Sequence, residues 1–139
     1  MKDCILETVV DPMKEARRYV ENAREVLLIR GKYDPEIGSY GDRKYVRAAG
    51  HYLWNGVLVI LNAAFHVETK RGCVDIENYR MAISPRDQKL LTMVNNAYDI
   101  LHLNMGYDGV LDRKICDRGF SVATDIIDRC ARLLPQAAV

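Results

Sequence analysis

Residues 48–67 limit the fold of this chain more than any other feature. The stretch AAGHYLWNGVLVILNAAFHV contains no Asp, Glu, Lys or Arg, although 28% of the chain is charged. It does contain four strong hydrogen-bonding side chains, His51, Asn55, Asn62 and His66. These groups make it a poor membrane span, because a bilayer offers them no partners. The stretch therefore predicts a long helix that packs inside a helical protein.

Three further amphipathic helices are predicted around it. Asp11 followed by a proline is typical of an N-cap and a first-turn proline. Ser84 and Pro85 repeat that pattern before the third helix, and the fourth begins near Asp112. The residues expected in the core recur every three or four positions. They are Met13, Ala16, Val20, Ala23 and Leu27 in the first helix, Leu90, Val94, Ala97, Leu101 and Met105 in the third, and Ile115, Gly119, Val122, Ala123, Ile126, Cys130 and Leu133 in the fourth.

The connections fit one compact arrangement of these helices. Residues 32–42 contain Pro and two Gly and predict a loop, after which the second helix is expected from Arg43 to Lys70. The connection before Ser84 can hold a short helical turn of its own. No alternating strand pattern or internal repeat interrupts the 139 residues. We therefore predict a single domain over residues 1–139, an all-α, up-down antiparallel four-helix bundle.

Composition excludes several classes of function. The chain has 20 basic and 19 acidic residues, so no strong field attracts nucleic acid or an anionic membrane. The N-terminus lacks the apolar region of a signal peptide. The four cysteines, Cys4, Cys73, Cys116 and Cys130, show no CxxC pair. We expect a cytoplasmic protein with reduced thiols, without a cofactor, a metal site, or a membrane or nucleic-acid partner.

The polar residues of the second helix form one stripe. His51, Asn55, Asn62 and His66 are four, seven and four residues apart, which places them on one side of a helix, opposite the apolar face. The other helices carry Arg, Lys, Glu and Asp on their outer faces. Neutral polar groups are favoured where water is partly excluded, so the stripe is predicted to be covered. Three covers are open: the same chain, a second copy, or a ligand. Our leading hypothesis is a non-enzymatic homodimer that acts through protein contacts.

A metal or small-molecule site is an alternative use of the same region. Asp99 and His102 are three apart on the third helix and, with His51, supply ligands typical of helical-bundle metal sites. The acidic residues of the first and fourth helices that could complete such a site, Glu21, Glu25, Asp125 and Asp128, all fall on outward faces. We therefore assign no metal ligand.

Two stretches of the sequence resemble known families. The segments YVRAAGHYLWNGVLVILNAA and AYDILHLNMGYDG look like those of a family of small, uncharacterised bacterial proteins classed as a domain of unknown function. The first helix, ARRYVENAREVLLIRGKYDP, resembles the opening of HEPN-like bundles, which include RNA-cleaving toxins and their helical partners. The first resemblance implies a fold without an activity, and the second implies a HEPN-like layout.

The HEPN resemblance raises a second alternative, a degenerate ribonuclease. Such enzymes carry an Arg, four to six residues, and then a His. Here Arg47 and His51 are separated by only three residues, although that spacing still places them on neighbouring turns. We therefore assign no catalytic residue, and Arg47 with His51 remains the candidate pair of this alternative.

Overall fold

The computed structural model describes residues 11–67 and 76–134, and within these ranges the chain is helical and has no β-strand. Five α-helices and one π-helix follow in order in the described residues. They are α1 (Pro12–Arg30), α2 (Arg43–Phe65), α3 (Ile76–Ile83), α4 (Gln88–Ala97), the π-helix (Tyr98–Tyr107) and α5 (Arg113–Ala131). The all-α prediction is confirmed. The predicted third helix is divided into α4 and the π-helix, and α3 occupies the connection where a short helical turn was expected.

Aspartate side chains begin four of the helices. The Asp11 carboxylate accepts hydrogen bonds from the backbone N–H groups of the first turn of α1, and Asp42 and Asp112 do the same for α2 and α5. Asp87 caps α4 by accepting from Leu90 N at 3.0 Å. The prediction of Ser84 as this cap was wrong, because the residues from Ser84 to Arg86 form a turn after α3 and the helix begins only at Gln88.

The second helix is shorter than predicted. His66 has a φ of 53° and a ψ of 45°, a left-handed conformation that ends α2 after Phe65. Its backbone N–H donates to Asn62 O at 2.8 Å, which satisfies one of the last carbonyls of the helix. The predicted continuation from residue 68 to Lys70 lies outside the described residues, as do Cys4 and Cys73.

Helix α2 is the central element of the fold. It packs against α1, α3, α5 and the π-helix. On the apolar face of α2, opposite the polar stripe, Ala49, Leu53, Val57 and Ile60 are fully buried. Because neighbours surround so much of its circumference, α2 also buries side chains outside that face: Val46, Trp54, Leu58, Leu61 and Phe65. No helix in the described ranges, α2 included, combines the length and hydropathy needed to cross a bilayer.

Most other core predictions agree with the observed burial. The five positions predicted for the third helix are all buried, and so are four of the five in α1. Met13, Ile115 and Val122 are half-buried at the margin of the core. Leu133 was predicted to face inward but is 51% exposed, because α5 has already ended at Ala131.

Candidate functional site at the second helix and the π-helix

The four polar residues of the stripe all lie at the surface of α2. His51, Asn55, Asn62 and His66 are exposed, so the rest of the described chain does not bury them. Their spacing along one helical face is as predicted. The two ends of the stripe, however, have different surroundings.

The C-terminal end of the stripe has a structural role. The hydroxyl of Tyr79, a fully buried residue of α3, donates to Asn62 Oδ1 at 2.8 Å. Burial raises the pKa of Tyr79, so the phenol stays protonated and remains a donor at neutral pH. His66 is the left-handed residue that ends α2. These two residues therefore hold α3 and terminate α2, a role that sequence reasoning missed.

The N-terminal end of the stripe borders the π-helix. Arg47 Nε donates to Tyr107 O at 3.1 Å, which ties the start of α2 to the end of the π-helix. One turn later His51 lies against Gly106, where an added Cβ would come 3.5 Å from His51 Cε1. No hydrogen bond between described residues involves the Asn55 side chain. His51 and Asn55 are thus the part of the stripe that remains available to an external group.

Two glycines allow this close approach. A Cβ at Gly50 would lie 2.6 Å from Gly106 N and 2.7 Å from Met105 Cβ, distances that real Cβ atoms do not show. The backbones of α2 and the π-helix are therefore in direct contact at this point. π-helices are rare and often occur at functional sites. Here the π-helix places His102 and Tyr107 beside the polar stripe.

His102 belongs to a group of three rings that contact one another. Its ring stacks on Tyr98 with the centroids 5.1 Å apart, and Trp54 lies 5.9 Å from His102 and 5.8 Å from Tyr98. Arg80 of α3 lies over the ring of Tyr98, at 5.8 Å from Cζ to the centroid. We call Trp54, His102, Tyr98 and Arg80 the aromatic stack. It connects α2, the π-helix and α3.

The aromatic stack contains unusual buried polar atoms. Among the described residues, Trp54 Nε1 and His102 Nδ1 are the two buried side-chain nitrogens without a hydrogen-bond partner. Such groups are uncommon in folded proteins. Burial lowers the pKa of His102, and the nearby His51 lowers it further. At neutral pH His102 is therefore an uncharged imidazole, and it lies close enough to His51 for a charge on His51 to disfavour protonation of His102.

Asp99 does not join the two histidines. A π-helix is wound more widely than an α-helix, since its hydrogen bonds span five residues instead of four. Residues three apart consequently no longer share a face, and Asp99 is exposed while His102 is half-buried. Within residues 11–67 and 76–134, no group of three or more His, Cys, Asp or Glu side chains is placed to hold a metal ion.

The two described cysteines lie far inside the core. Cys116 and Cys130 are fully buried free thiols, and burial raises the pKa of each to about 12. The nucleophilic thiolate is therefore scarce at neutral pH. Both residues act as small hydrophobic side chains of α5, as the sequence suggested.

Sequence reasoning missed Trp54, Tyr98 and Tyr107 as parts of this region. A signal for the stack was present, because Tyr98 and His102 are four apart and Trp54 follows His51 by three. The contact of Tyr107 with Arg47 depends on where the π-helix ends, and no local sequence pattern predicts that position.

Comparison with known proteins identifies the family. Residues 11–132 match the family described as Domain of unknown function (DUF5618). The chain belongs to this family. A solved protein of unknown function from Dyadobacter fermentans is 36% identical, with a TM-score of 0.78 over 87% of this chain and 93% of that chain. No curated protein matches.

Membership in the DUF5618 family confirms one of the two resemblances. The chain is related to proteins classed as a domain of unknown function, and the relationship spans nearly all of it. A relationship to HEPN bundles stays a prediction. The family brings no known activity, so any function has to be argued from the site.

Proposed function

We propose that this protein is a cytosolic, non-enzymatic homodimer that acts through protein contacts. The interface is centred on a contact face that we define as Arg47, His51, Asn55, Leu103 and Tyr107. One observation supports this proposal most directly. The neutral end of the α2 stripe is exposed, and Leu103 and Tyr107 on the adjoining π-helix are 36% and 75% exposed.

The composition of the contact face suits burial against a protein. Tyr and Arg are enriched in protein interfaces, whereas Lys, Glu and Asp are depleted. Burial of a neutral imidazole or carboxamide group costs less desolvation free energy than burial of a charged group, provided that the buried group finds a hydrogen-bond partner. The exposed faces of α1 and α5 instead carry acidic and basic residues in quantity. The contact face, with Arg47 as its one charged residue, therefore carries fewer charges than the exposed faces of α1 and α5.

A second copy is the simplest partner for such a face. Most soluble oligomers are symmetric dimers in which one patch meets its own copy. Stable interfaces bury about 800 Å² on each partner. The contact face uses only residues 47–55 of α2, which span about 12 Å, so the exposed part of the π-helix has to contribute to that area as well.

The oligomeric state of a charged double variant tests the proposal. In His51→Glu with Asn55→Glu, a symmetric interface would bring two new carboxylates from each copy together in a poorly solvated region. We expect a dimer for the wild type and a monomer for the variant, measured by size exclusion with light scattering at about 50 μM. Asn22→Glu, an exposed asparagine on α1, is the matched control and should remain dimeric.

Two outcomes would contradict the proposal, one the dimer itself and the other the location of its interface. One is a wild-type protein that is monomeric at that concentration. The other is a double variant that elutes and scatters as the wild type does, which would place any interface elsewhere. Circular dichroism of each variant shows whether the helices are retained.

A ribonuclease activity is the second candidate, and a specific arrangement favours it. Arg47 and His51 are both exposed on successive turns of α2, and His102 lies close to His51. Arg47 uses Nε for Tyr107, which leaves its terminal nitrogens for a phosphate. Incubation with mixed RNA is the test. Cleavage that is lost in His51→Ala would rank this activity above the dimer proposal, and intact RNA would exclude it.

A further inference from the structure

A groove that shares no lining residue with the contact face has the features of a ligand site. It lies between α1, the loop before α2 and the start of α5, and its volume is about 420 Å³. Small-molecule sites are commonly 300–1,000 Å³, mostly apolar, with a few fixed polar groups. We call it the arginine groove, and its main lining residues are Arg24, Leu28, Tyr33, Tyr40, Arg113 and Phe120.

The two guanidinium groups of the arginine groove are held in place by aromatic rings. Arg24 Cζ lies 5.1 Å from the Phe120 ring centroid, and Arg113 Cζ lies 5.3 Å from that of Tyr33. Arg113 also donates to Tyr33 Oη at 3.0 Å and to Asp117 Oδ2 at 3.2 Å. Such fixed groups lose less conformational entropy when they bind a ligand.

Donors remain available on both arginines. A guanidinium has five N–H groups, and Arg113 uses one on Nε and one on Nη1. Arg24 uses Nε for Glu21 at 3.3 Å, which leaves both terminal nitrogens. Planar guanidinium groups bind carboxylate and phosphate with paired hydrogen bonds. The groove therefore offers anion-binding donors beside apolar walls.

The charges at the groove favour a monoanion over a dianion. Arg24 and Arg113 contribute +2, and the carboxylates paired with them, Glu21 and Asp117, contribute −2. A carboxylate adds one negative charge to this balanced set, whereas a phosphate monoester would bring close to two negative charges next to Asp117. The apolar side chains of the groove favour a ligand with a flat apolar ring. The ring centroids of Tyr33 and Tyr40 lie 5.4 Å apart, and Leu28 is 83% exposed.

We propose that the arginine groove binds a small aromatic monocarboxylate. The carboxylate is bound by Arg113 and Arg24, and the ring packs against Tyr33, Phe120 and Leu28. Burial of Leu28 and of the ring faces supplies the apolar part of the binding free energy. This site is independent of the contact face, so it stands whether or not the protein is a dimer.

A titration of the full chain with 2-naphthoate, monitored by ¹H–¹⁵N correlation spectra, tests the proposal. We expect saturable shifts confined to residues 24–40 and 113–120, with a dissociation constant of about 0.1–1 mM. Arg113→Gln and Arg24→Gln should each weaken binding about tenfold, because each removes a charge-assisted pair. Arg18→Gln removes an equal charge from α1 outside the groove and should bind as the wild type does. The unliganded spectra show whether each variant is folded.

Two further ligands test whether the groove recognises the carboxylate of a small molecule. The neutral 2-naphthamide should bind at least about tenfold more weakly than the acid. No saturable shift with 2-naphthoate, or equal affinity for acid and amide, would overturn the proposal. A short peptide that ends in phenylalanine presents the same carboxylate and ring on a protein. Tighter binding of that peptide than of 2-naphthoate would also overturn it, in favour of a protein C-terminus as the ligand.

Discussion

His102 lies where both burial and its neighbours disfavour a positive charge. Its folded pKa is lowered, whereas an unfolded chain protonates histidine at about pH 6.5. Between these two values the unfolded state binds more protons than the folded state does. The free energy of unfolding is therefore expected to fall as the pH drops from 6.5 through the lower folded pKa.

Removal of the imidazole should remove this part of the pH dependence. His102→Phe keeps a ring in the aromatic stack and cannot take up a proton. We expect urea unfolding at pH 7.5 and pH 5 to show a smaller loss of stability for this variant than for the wild type. His66→Asn is the control, because it removes an exposed histidine at a left-handed position that Asn tolerates. Equal pH dependence of His102→Phe and wild type would refute the argument.

At the scale of elements, the contact between α2 and the π-helix tolerates no added side chain. Gly50→Ala places a methyl group against backbone atoms and Met105 Cβ, none of which can rotate away. We expect a loss of about 3 kcal/mol or more in the free energy of unfolding, at the upper end of overpacking costs. Urea midpoints measured by circular dichroism provide the check.

Gly119→Ala is the matched comparison for this prediction. Its added Cβ would meet mainly Met105 Sδ at 2.7 Å, and a methionine sulfur can move. The gain in helix propensity of about 1 kcal/mol offsets the crowding, so stability should change little. Similar losses in both variants would mean that the contact at Gly50 relaxes as easily as the one at Gly119.

At the scale of the whole molecule, one partly buried ion pair makes the free energy of unfolding depend on pH in the acid range. Asp87 accepts from Arg129 Nε at 2.8 Å and from Arg129 Nη2 at 3.0 Å, across 42 residues of chain. The side chains of Arg129 and Asp87 are 27% and 15% exposed, less than those of the other ion pairs described. The bond from Arg129 holds the pKa of Asp87 below its usual range.

Loss of this charge should destabilise the folded protein fully above about pH 4 and progressively less as the pH falls below that value. The folded carboxylate holds its proton less tightly than the unfolded one, so its stabilisation is present above about pH 4 and is lost as the pH falls through the folded pKa. Asp87→Asn keeps the helix cap and removes the charge. We expect a loss of about 1–3 kcal/mol at pH 7 that shrinks toward pH 2. Asp125→Asn on exposed α5 surface should cost little. A pH-independent loss would refute the assignment.

The all-α class and most helix positions were predictable because their determinants are local, whereas the up-down four-helix arrangement stays a prediction. Asp11 followed by proline fixed the start of α1, and the apolar spacing from Leu90 to Met105 identified a buried face. The π-helix was not predictable from that spacing, since Leu101 and Met105 are buried in either kind of helix. The left-handed backbone conformation of His66, which ends α2, was missed because histidine, unlike glycine, does not by itself predict such a conformation.

The surroundings of the candidate site could not be predicted. The uncharged stripe drew attention to His51 and Asn55, and their use as a site stays a prediction. The partners of the stripe and of Arg47 come from the π-helix and α3: Gly106 is 55 residues from His51, Tyr107 is 60 residues from Arg47, and Tyr79 is 17 residues from Asn62. Single-sequence patterns relate residues within one helix, so contacts between helices stayed out of reach. The arginine groove was missed for the same reason.

The meeting of Gly50 and Gly106 has a consequence for how this surface can vary. Because main chain touches main chain there, the spacing of His51 from the π-helix does not depend on the shapes of neighbouring side chains. Exchanges at positions such as Asn55, Leu103 or Tyr107 should alter which molecule the surface recognises while the spacing stays the same. Because the backbones of α2 and the π-helix are in contact, variants of this surface can carry different side chains for different partners while the spacing of the two helices stays unchanged.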